Sequence, residues 1–256
     1  MMRIAVQQAA YASGSLPRNL TFLNGAAAAA RAEGADLLIM PELALQGYGA
    51  GAAMTDAALT AEEVVSEIAA LPDLSGLALI AGFAERGRDC LYNSAIFLDA
   101  EGSAPVIYRK SHLYGAYEQA LFRRSRPGTV VVEVGGLKIG ILICYDVEFP
   151  ENVRRLAQAG ADLIAVPTAL PAAAEARFIA RQMIPVRAFE NQVFVAYANH
   201  CGHDGAFSYA GLSAIVAPDG HLLAAAEAEG EALIMADIDP SAYAASRERN
   251  AYLRDL

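Results

Sequence analysis

A thiol, a carboxylate and an ammonium group each stand at the end of an apolar, strand-like segment of the chain. The thiol, Cys144, follows the run 139–143 and comes shortly before Pro150, a residue suited to the first turn of a helix. A thiol near a helix start would feel partial positive charge, which favours the nucleophilic thiolate. An isolated cysteine after an apolar strand is more often a core residue. Position alone therefore favours a structural role for Cys144.

A cysteine nucleophile needs a proton acceptor, and Glu42 is a candidate. It follows Leu38-Ile39-Met40-Pro41, where poor solvation would raise the pKa of its carboxyl group and let it take the thiol proton. The alternative is a helix-capping or salt-bridged loop acid. None of the four histidines, at positions 112, 200, 203 and 221, stands out as a partner for the cysteine.

Lys110 follows the apolar strand candidate that ends at Arg109. An ammonium group fixed there could stabilise both a thiolate and the oxyanion that forms when a carbonyl is attacked. A solvated lysine at a strand end is the commoner case. The functional interpretation gains weight because Glu42, Lys110 and Cys144 each end a strand of their own.

These residues lie in blocks that resemble the three signature blocks of the nitrilase superfamily of carbon–nitrogen hydrolases. The order, spacing and local sequence of the blocks agree with that family, and weaker matches extend the resemblance over nearly the whole chain. The blocks are Pro41-Glu42, Tyr108-Arg109-Lys110-Ser111-His112-Leu113, and Cys144-Tyr145-Asp146 with Phe149-Pro150-Glu151.

The resemblance implies a role for each matching residue. Glu42 would be general base and acid, Lys110 the oxyanion stabiliser and Cys144 the nucleophile. A second family glutamate matches Glu118, which would position the substrate amide and orient Lys110, although a surface helix acid is the alternative. The backbone N–H of Tyr145 would complete the oxyanion hole. The implied reaction converts a carboxamide to an acid and ammonia through a thioester, with no cofactor.

A metal site is not expected. The cluster His200-Cys201-Gly202-His203-Asp204 contains good zinc ligands, but they crowd one loop and form no spaced pair of ligand motifs.

The residues around the cysteine also bear on the substrate. Family nitrilases often carry Trp-Glu after the cysteine, whereas this chain has Tyr145-Asp146 and no tryptophan. Val147 and Glu148 stand where N-carbamoyl-D-amino acid hydrolases often have a carboxylate-binding arginine. An amidase for a neutral or cationic carboxamide, such as an amino-acid or cyclic-amine carboxamide, is therefore expected. The residues predicted to line the substrate pocket are Tyr48, Tyr117, Tyr145, Asp146, Phe149, Thr168, Ala169 and Leu170.

Other interpretations remain open at this stage. Asp146 and Glu148 could pair with Arg154 or Arg155 instead of facing a pocket. The chain could be an omega-amidase that binds a distal carboxylate, or a nitrilase, or a non-catalytic binding or assembly protein that retains the fold. The candidate arginines for a distal carboxylate are Arg123, Arg124 and Arg177.

The elements that must position these residues alternate in an α/β pattern. Twelve strand candidates are too many for one ordinary sheet, and five helix candidates are too few to cover every strand on both faces. Residues 1–256 are therefore expected to form one domain, a four-layer α-β-β-α sandwich with two stacked mixed sheets. Predicted strands are Arg3–Gln8, Asp36–Met40, Leu77–Phe83, Ser94–Asp99, Pro105–Arg109, Val130–Val134, Leu137–Ile143, Asp162–Val166, Val193–Ala198, Leu212–Ala217, His221–Ala226 and Ala232–Asp237. Predicted helices are Leu16–Glu33, Thr60–Leu71, Glu151–Ala159, Glu175–Asn191 and Ser241–Arg249.

Two sequence patterns add detail to this fold. Gly135-Gly136 and Pro218-Asp219-Gly220 have the composition of hairpin turns. The segment 34–42 recurs in outline at 160–168, each after an alanine-rich helix, and each places a proline where the strand is expected to end.

Composition excludes several classes of partner. A net charge of −10 would repel nucleic acid and anionic membrane surfaces, and no apolar run approaches the roughly 20 residues that cross a bilayer. Three cysteines do not make a disulfide framework, so a reducing, cytoplasmic location is expected. The family resemblance implies a homodimer.

Overall fold

Two six-stranded mixed sheets form the centre of the protein. The computed structural model describes residues 1–101 and 104–256. The strands of the first sheet are β1 (Met2–Gln8), β2 (Leu37–Ile39), β3 (Ala78–Arg86), β4 (Leu91–Leu98), β5 (Val106–Arg109) and β12 (Ala232–Ile238). Those of the second are β6 (Val131–Val134), β7 (Leu137–Ile141), β8 (Leu163–Thr168), β9 (Phe194–Asn199), β10 (Ala214–Val216) and β11 (Leu222–Ala225). The orders are β12-β1-β2-β3-β4-β5 and β11-β10-β9-β8-β7-β6.

The two sheets stack face to face, and helices cover their outer faces. Side chains of β1 alternate between the two sides: Ile4 and Val6 join the core between the sheets, whereas Ala5 packs toward the helices. Helices α1 (Leu16–Ala32) and α3 (Ala61–Ala69) cover the first sheet. Helices α5 (Pro150–Gln158) and α7 (Ile184–Asn191) cover the second. The predicted α-β-β-α sandwich is confirmed.

Shorter helices complete the chain. They are α2 (Met54–Ala57), α4 (Gly115–Leu121), α6 (Ala176–Phe178) and α8 (Ala244–Arg249), with 3-10 turns at Tyr48–Ala53, Pro72–Leu74, Cys144–Glu148 and Pro240–Tyr243. Among the described residues, no helix is long and apolar enough to span a membrane.

The hairpin predictions are confirmed. Strand β6 pairs with β7 in antiparallel register across Gly135-Gly136, and β10 pairs with β11 across Pro218-Asp219-Gly220.

The structure corrects three local predictions. Strand β7 ends at Ile141, two residues before the predicted end, because the chain turns into the 3-10 helix that starts at Cys144. Pro167 lies inside β8, in register with Ala198, so it does not mark the strand's end as predicted. The helix predicted at 175–191 contains a π-helical segment, Ile179–Met183, between α6 and α7. Helices α2 and α4 were absent from the predicted elements.

Candidate active site

The ends of β2, β5 and β7 bring Glu42, Lys110 and Cys144 into one buried site. Glu42 is 0% exposed, Lys110 is 1% exposed and Cys144 is 7% exposed. The Nζ atom of Lys110 lies 2.5 Å from Oε1 of Glu42 and 2.7 Å from Oε1 of Glu118. The structure thus places an ammonium group between two carboxylates beside a thiol.

Glu118 is a fully buried residue of α4, and the alternative of a surface helix acid is wrong. Besides Lys110, its carboxylate accepts hydrogen bonds from the Tyr48 hydroxyl at 2.8 Å and from the Tyr114 backbone N–H at 2.9 Å. The Glu118 carboxylate therefore has three hydrogen-bond donors, one of them a cation.

Glu42 has a less complete set of partners. Its Oε1 accepts hydrogen bonds from Lys110 and from Nδ2 of Asn93 at 2.7 Å. Its Oε2 is buried and has no hydrogen-bond partner among residues 1–101 and 104–256. Burial raises the pKa of Glu42 to about 7, with Glu118 adding to the rise and Lys110 opposing it. A carboxyl group with a pKa near neutrality can both accept and return a proton.

The pKa of Lys110 responds to two opposing effects. Burial lowers it, but the Coulombic attraction of Glu118 and Glu42 raises it well above its ordinary value. Lys110 therefore stays an ammonium group at neutral pH.

Cys144 occupies a strained backbone position. Its φ is +44°, a left-handed conformation that is uncommon for a residue with a side chain and tends to occur at functional sites. Burial and the negative charge of Glu42 raise the pKa of the thiol, while Lys110 lowers it by a smaller amount. Burial thus acts against the thiolate that the nearby helix start was expected to favour. A thiol in this environment requires a base before it can act as a nucleophile.

Two residues that fix the Glu42 backbone were not singled out as partners in the sequence. Gly82 of β3 packs so closely that a β-carbon there would lie 2.6 Å from the Cα of Glu42. Nε2 of His200 donates a hydrogen bond to the Glu42 carbonyl oxygen at 2.6 Å. Burial lowers the pKa of His200 to about 4, so the ring is neutral.

Asp204, in the same loop as His200, is also held by hydrogen bonds within the protein. Its carboxylate accepts hydrogen bonds from the backbone N–H of Gly49 at 2.8 Å and from the Tyr209 hydroxyl. In the described part of the chain, no three His, Cys, Asp or Glu side chains are grouped so as to hold a metal ion.

A small cavity opens beside the thiol. Its volume is about 100 Å³, and its wall contains the nucleophile candidate together with aromatic, aliphatic and acidic residues. The lining residues are Tyr114, Cys144, Tyr145, Glu148, Leu170, Pro171, Ala173, Glu175 and Ile179. Tyr145 and Leu170 were predicted in this role, whereas Tyr114 and Glu175 were not.

The other predicted pocket residues have different surroundings. The Tyr48 hydroxyl binds Glu118, and the Tyr117 hydroxyl donates to the Tyr48 carbonyl oxygen at 2.6 Å. Phe149 stacks on the His112 ring with centroids 3.9 Å apart. The Thr168 hydroxyl donates to the Val166 carbonyl oxygen, and Ala169 packs in the buried cluster that contains Tyr48.

Asp146 does not face the cavity, contrary to the prediction. It is fully buried, and its carboxylate accepts hydrogen bonds from the Ser111 hydroxyl at 2.7 Å, the Tyr108 hydroxyl at 2.8 Å and the His112 backbone N–H at 2.8 Å. These bonds tie the residues on both sides of Lys110 to the segment after Cys144. Arg155 binds Asn152 instead of either acid.

Comparison with known proteins identifies the family that this chain resembles. The family model described as "Carbon-nitrogen hydrolase" matches residues 3–248. A protein named "Hydrolase in pqqF 5'region" from Pseudomonas protegens is 42% identical, with 99% of this chain and 88% of the relative covered. An (R)-stereoselective amidase from a Pseudomonas species is 32% identical over 99% of this chain and 91% of its own. A 2-oxoglutaramate amidase from Bacillus subtilis is 31% identical, over 87% and 85%.

Solved structures of an amidase from Nesterenkonia show the same fold. One superposes with a TM-score of 0.86 at 34% identity and covers 100% of this chain and 93% of the other. A cysteine-to-alanine mutant of that amidase, in complex with butyramide, gives the same TM-score and identity over 100% and 94% of the two chains.

Proposed function

The chain belongs to the carbon–nitrogen hydrolase family and is an amidase of the nitrilase superfamily, and we propose that it hydrolyses a small neutral or cationic carboxamide to a carboxylic acid and ammonia. The observation that carries the proposal is the position of Lys110 between Glu42 and Glu118. An ammonium group held rigidly between two acids beside a thiol suits acyl transfer, because it can stabilise an oxyanion without moving.

The proposed reaction begins with proton transfer from the Cys144 thiol to Glu42. The sulfur attacks the amide carbonyl, and the resulting oxyanion binds Lys110 and the backbone N–H of Tyr145. Glu42 gives its proton to the departing nitrogen, and ammonia leaves. Water, deprotonated by Glu42, then cleaves the thioester, which releases the acid and restores the thiol. Glu118 positions the substrate amide and orients Lys110.

The substrate class follows from the cavity and from the relatives. A volume of about 100 Å³ suits a small acyl group, and the Nesterenkonia amidase mutant binds butyramide. The similarity to an (R)-stereoselective amidase adds support for an amide with a chiral acyl group.

An omega-amidase is the second candidate, because a 2-oxoglutaramate amidase is among the relatives. Binding the distal carboxylate of such a substrate would require a cation in the cavity. Among the described residues the cavity wall contains Glu148 and Glu175 but no arginine or lysine. The negative charge of these two glutamates disfavours binding of a dicarboxylic acid monoamide, which carries a carboxylate of its own.

Ammonia release from a substrate panel tests the function. The panel contains butyramide, an amino-acid amide, succinamic acid and butyronitrile, and we expect turnover of the first two to exceed that of the others. Cys144→Ala should abolish ammonia release, whereas Cys90→Ala, which removes a thiol outside the site, should not. Ammonia release by Cys144→Ala at the wild-type rate would contradict the mechanism.

We also propose a homodimer and a reducing, cytoplasmic location. All three cysteines are free thiols, which agrees with a reducing compartment. Light scattering coupled to size-exclusion chromatography would measure the oligomeric state.

A further inference from the structure

Glu148 is a carboxylate without a partner on the wall of the catalytic cavity. The residue is half-buried, and its side chain forms no hydrogen bond or ion pair with any residue in the described ranges, 1–101 and 104–256. Glu175 lines the same cavity from an exposed position. A partly desolvated acid with no counter-charge is unfavourable unless something else supplies that charge.

The nearby cations are engaged elsewhere. The Arg187 guanidinium donates to the backbone carbonyl oxygens of Val147 and Glu148 and forms an ion pair with Glu190. Lys110 binds Glu42 and Glu118. Burial raises the pKa of Glu148, and Glu175 adds to the rise, while the two cations oppose it at longer range. The negative charge on the cavity wall is therefore left without a close partner.

The cavity is a ligand site on independent grounds, because Cys144 forms part of its wall. Any substrate that reaches the thiol must place its acyl group against the remaining lining. That lining includes the rings of Tyr114 and Tyr145, which pack edge to face with centroids 5.3 Å apart. Aromatic faces next to carboxylates are a common environment for ammonium groups.

We infer that Glu148, assisted by Glu175, forms a cation subsite that selects carboxamides with an ammonium group on the acyl portion. The inference rests on the proposed amidase function and narrows it from neutral or cationic amides to cationic ones. In the bound state the substrate ammonium group donates to the Glu148 carboxylate and lies against the tyrosine rings. Glu175, at the exposed side, adds long-range attraction with little desolvation.

The test compares two substrates of nearly equal shape. At neutral pH, alaninamide carries an ammonium group at the position where 2-methylpropanamide carries a methyl group. We expect wild-type kcat/KM for alaninamide to exceed that for 2-methylpropanamide by about tenfold or more, the effect of one charge-assisted hydrogen bond. Glu148→Gln should lower this ratio by about tenfold, and Glu175→Gln should lower it less. Glu151→Gln, which removes one exposed charge outside the cavity, should leave the ratio as it is.

Binding measurements keep the test informative if Glu148→Gln turns over poorly. In a Cys144→Ala background, calorimetry should show that Glu148→Gln weakens binding of alaninamide and not of 2-methylpropanamide. If Glu148→Gln leaves both the kinetic ratio and the two affinities as in its parent while wild-type enzyme still releases ammonia, the cation subsite is wrong and the amidase proposal stands. If wild-type enzyme releases ammonia from neither amide nor from butyramide, the amidase proposal is itself wrong, and the subsite with it.

Discussion

The Nζ atom of Lys110 lies 2.5 Å from Oε1 of Glu42, and both side chains are buried. The contact does not make Glu42 a strong acid, because burial outweighs the attraction of Lys110 and raises the pKa of Glu42 to about 7. The two acids that bind Lys110 differ in how many hydrogen bonds their carboxylates accept. Glu118 accepts three hydrogen bonds, whereas one oxygen of Glu42 has no partner among residues 1–101 and 104–256. Glu42 is the acid with an oxygen available for proton transfer.

Glu42→Gln should lower kcat for amide hydrolysis by about 10³-fold, the usual scale for loss of a general base. In wild-type enzyme, kcat/KM should rise with pH and level off above about pH 7, because Glu42 must be ionised to take the thiol proton. Ammonia release measured between pH 5 and pH 9 gives both results. A rise near pH 7 that persists in the residual activity of Glu42→Gln would assign the titration to another group.

Glu42→Gln should also change stability in a pH-dependent way. The pKa of Glu42 is raised from 4.5 in the unfolded chain to about 7 in the folded protein. The folded state therefore binds the proton more tightly, and this stabilisation is complete below pH 4.5 and is lost as the pH rises through 7. The full shift corresponds to about 3 kcal/mol. Because glutamine does not titrate, the Tm of the Glu42→Gln variant relative to that of wild type should increase from pH 5 to pH 8. An equal Tm difference at both pH values in calorimetry would contradict the raised pKa.

The sequence predicted the fold well because its signals are local. Apolar runs marked all twelve strands, and the compositions of two turns marked two hairpins. The positions of Glu42, Lys110 and Cys144 at strand ends also follow from these runs. For Cys144, the nearby helix start was expected to favour the thiolate. Burial and the charge of Glu42, which are tertiary effects, instead raise the pKa of the thiol.

Other features of the site depend on contacts between distant segments. The buried Glu118 accepts a hydrogen bond from Tyr48, 70 residues earlier in the chain. Asp146 was expected in the pocket, but the segment after Lys110 supplies enough donors to hold its carboxylate in the core. His200 binds a backbone oxygen 158 residues away, a contact that no local sequence pattern indicates.

Tyr48→Phe should lower kcat by about 10- to 100-fold, since a hydrogen bond to a charged group contributes about 1.5–3 kcal/mol. The hydroxyl of Tyr48 donates to the Glu118 oxygen that also accepts from Lys110. Without this hydroxyl, the side chains of Glu118 and Lys110 are less firmly oriented. Steady-state kinetics with butyramide measure the effect. Tyr252→Phe, which removes a hydroxyl from a residue that is 41% exposed, is the matched control. Equal kcat values for the two variants would show that Tyr48 does not position Glu118.

Gly82→Ala should impair catalysis without touching a reacting group. The new β-carbon would lie 2.6 Å from the Cα of Glu42 and 2.6 Å from the carbonyl oxygen of Pro41, and both are backbone atoms that cannot rotate away. The segment after β2 must therefore move, and with it the Glu42 carboxylate. A displacement on the scale of 1 Å can reduce turnover by about 10²-fold, and overpacking should lower stability by about 1–3 kcal/mol.

The matched control for this substitution is Gly25→Ala in α1, where a β-carbon would meet no atom within 4 Å. Because alanine has the higher helix propensity, this variant should be as stable as wild type or more stable, with unchanged kcat. Chemical denaturation and butyramide turnover measured on both variants separate the two effects. Because Gly82 acts through the position of Glu42, the activity lost by Gly82→Ala should persist at temperatures where the variant is fully folded. Recovery of wild-type kcat under those conditions would show that the close approach of β3 serves stability alone.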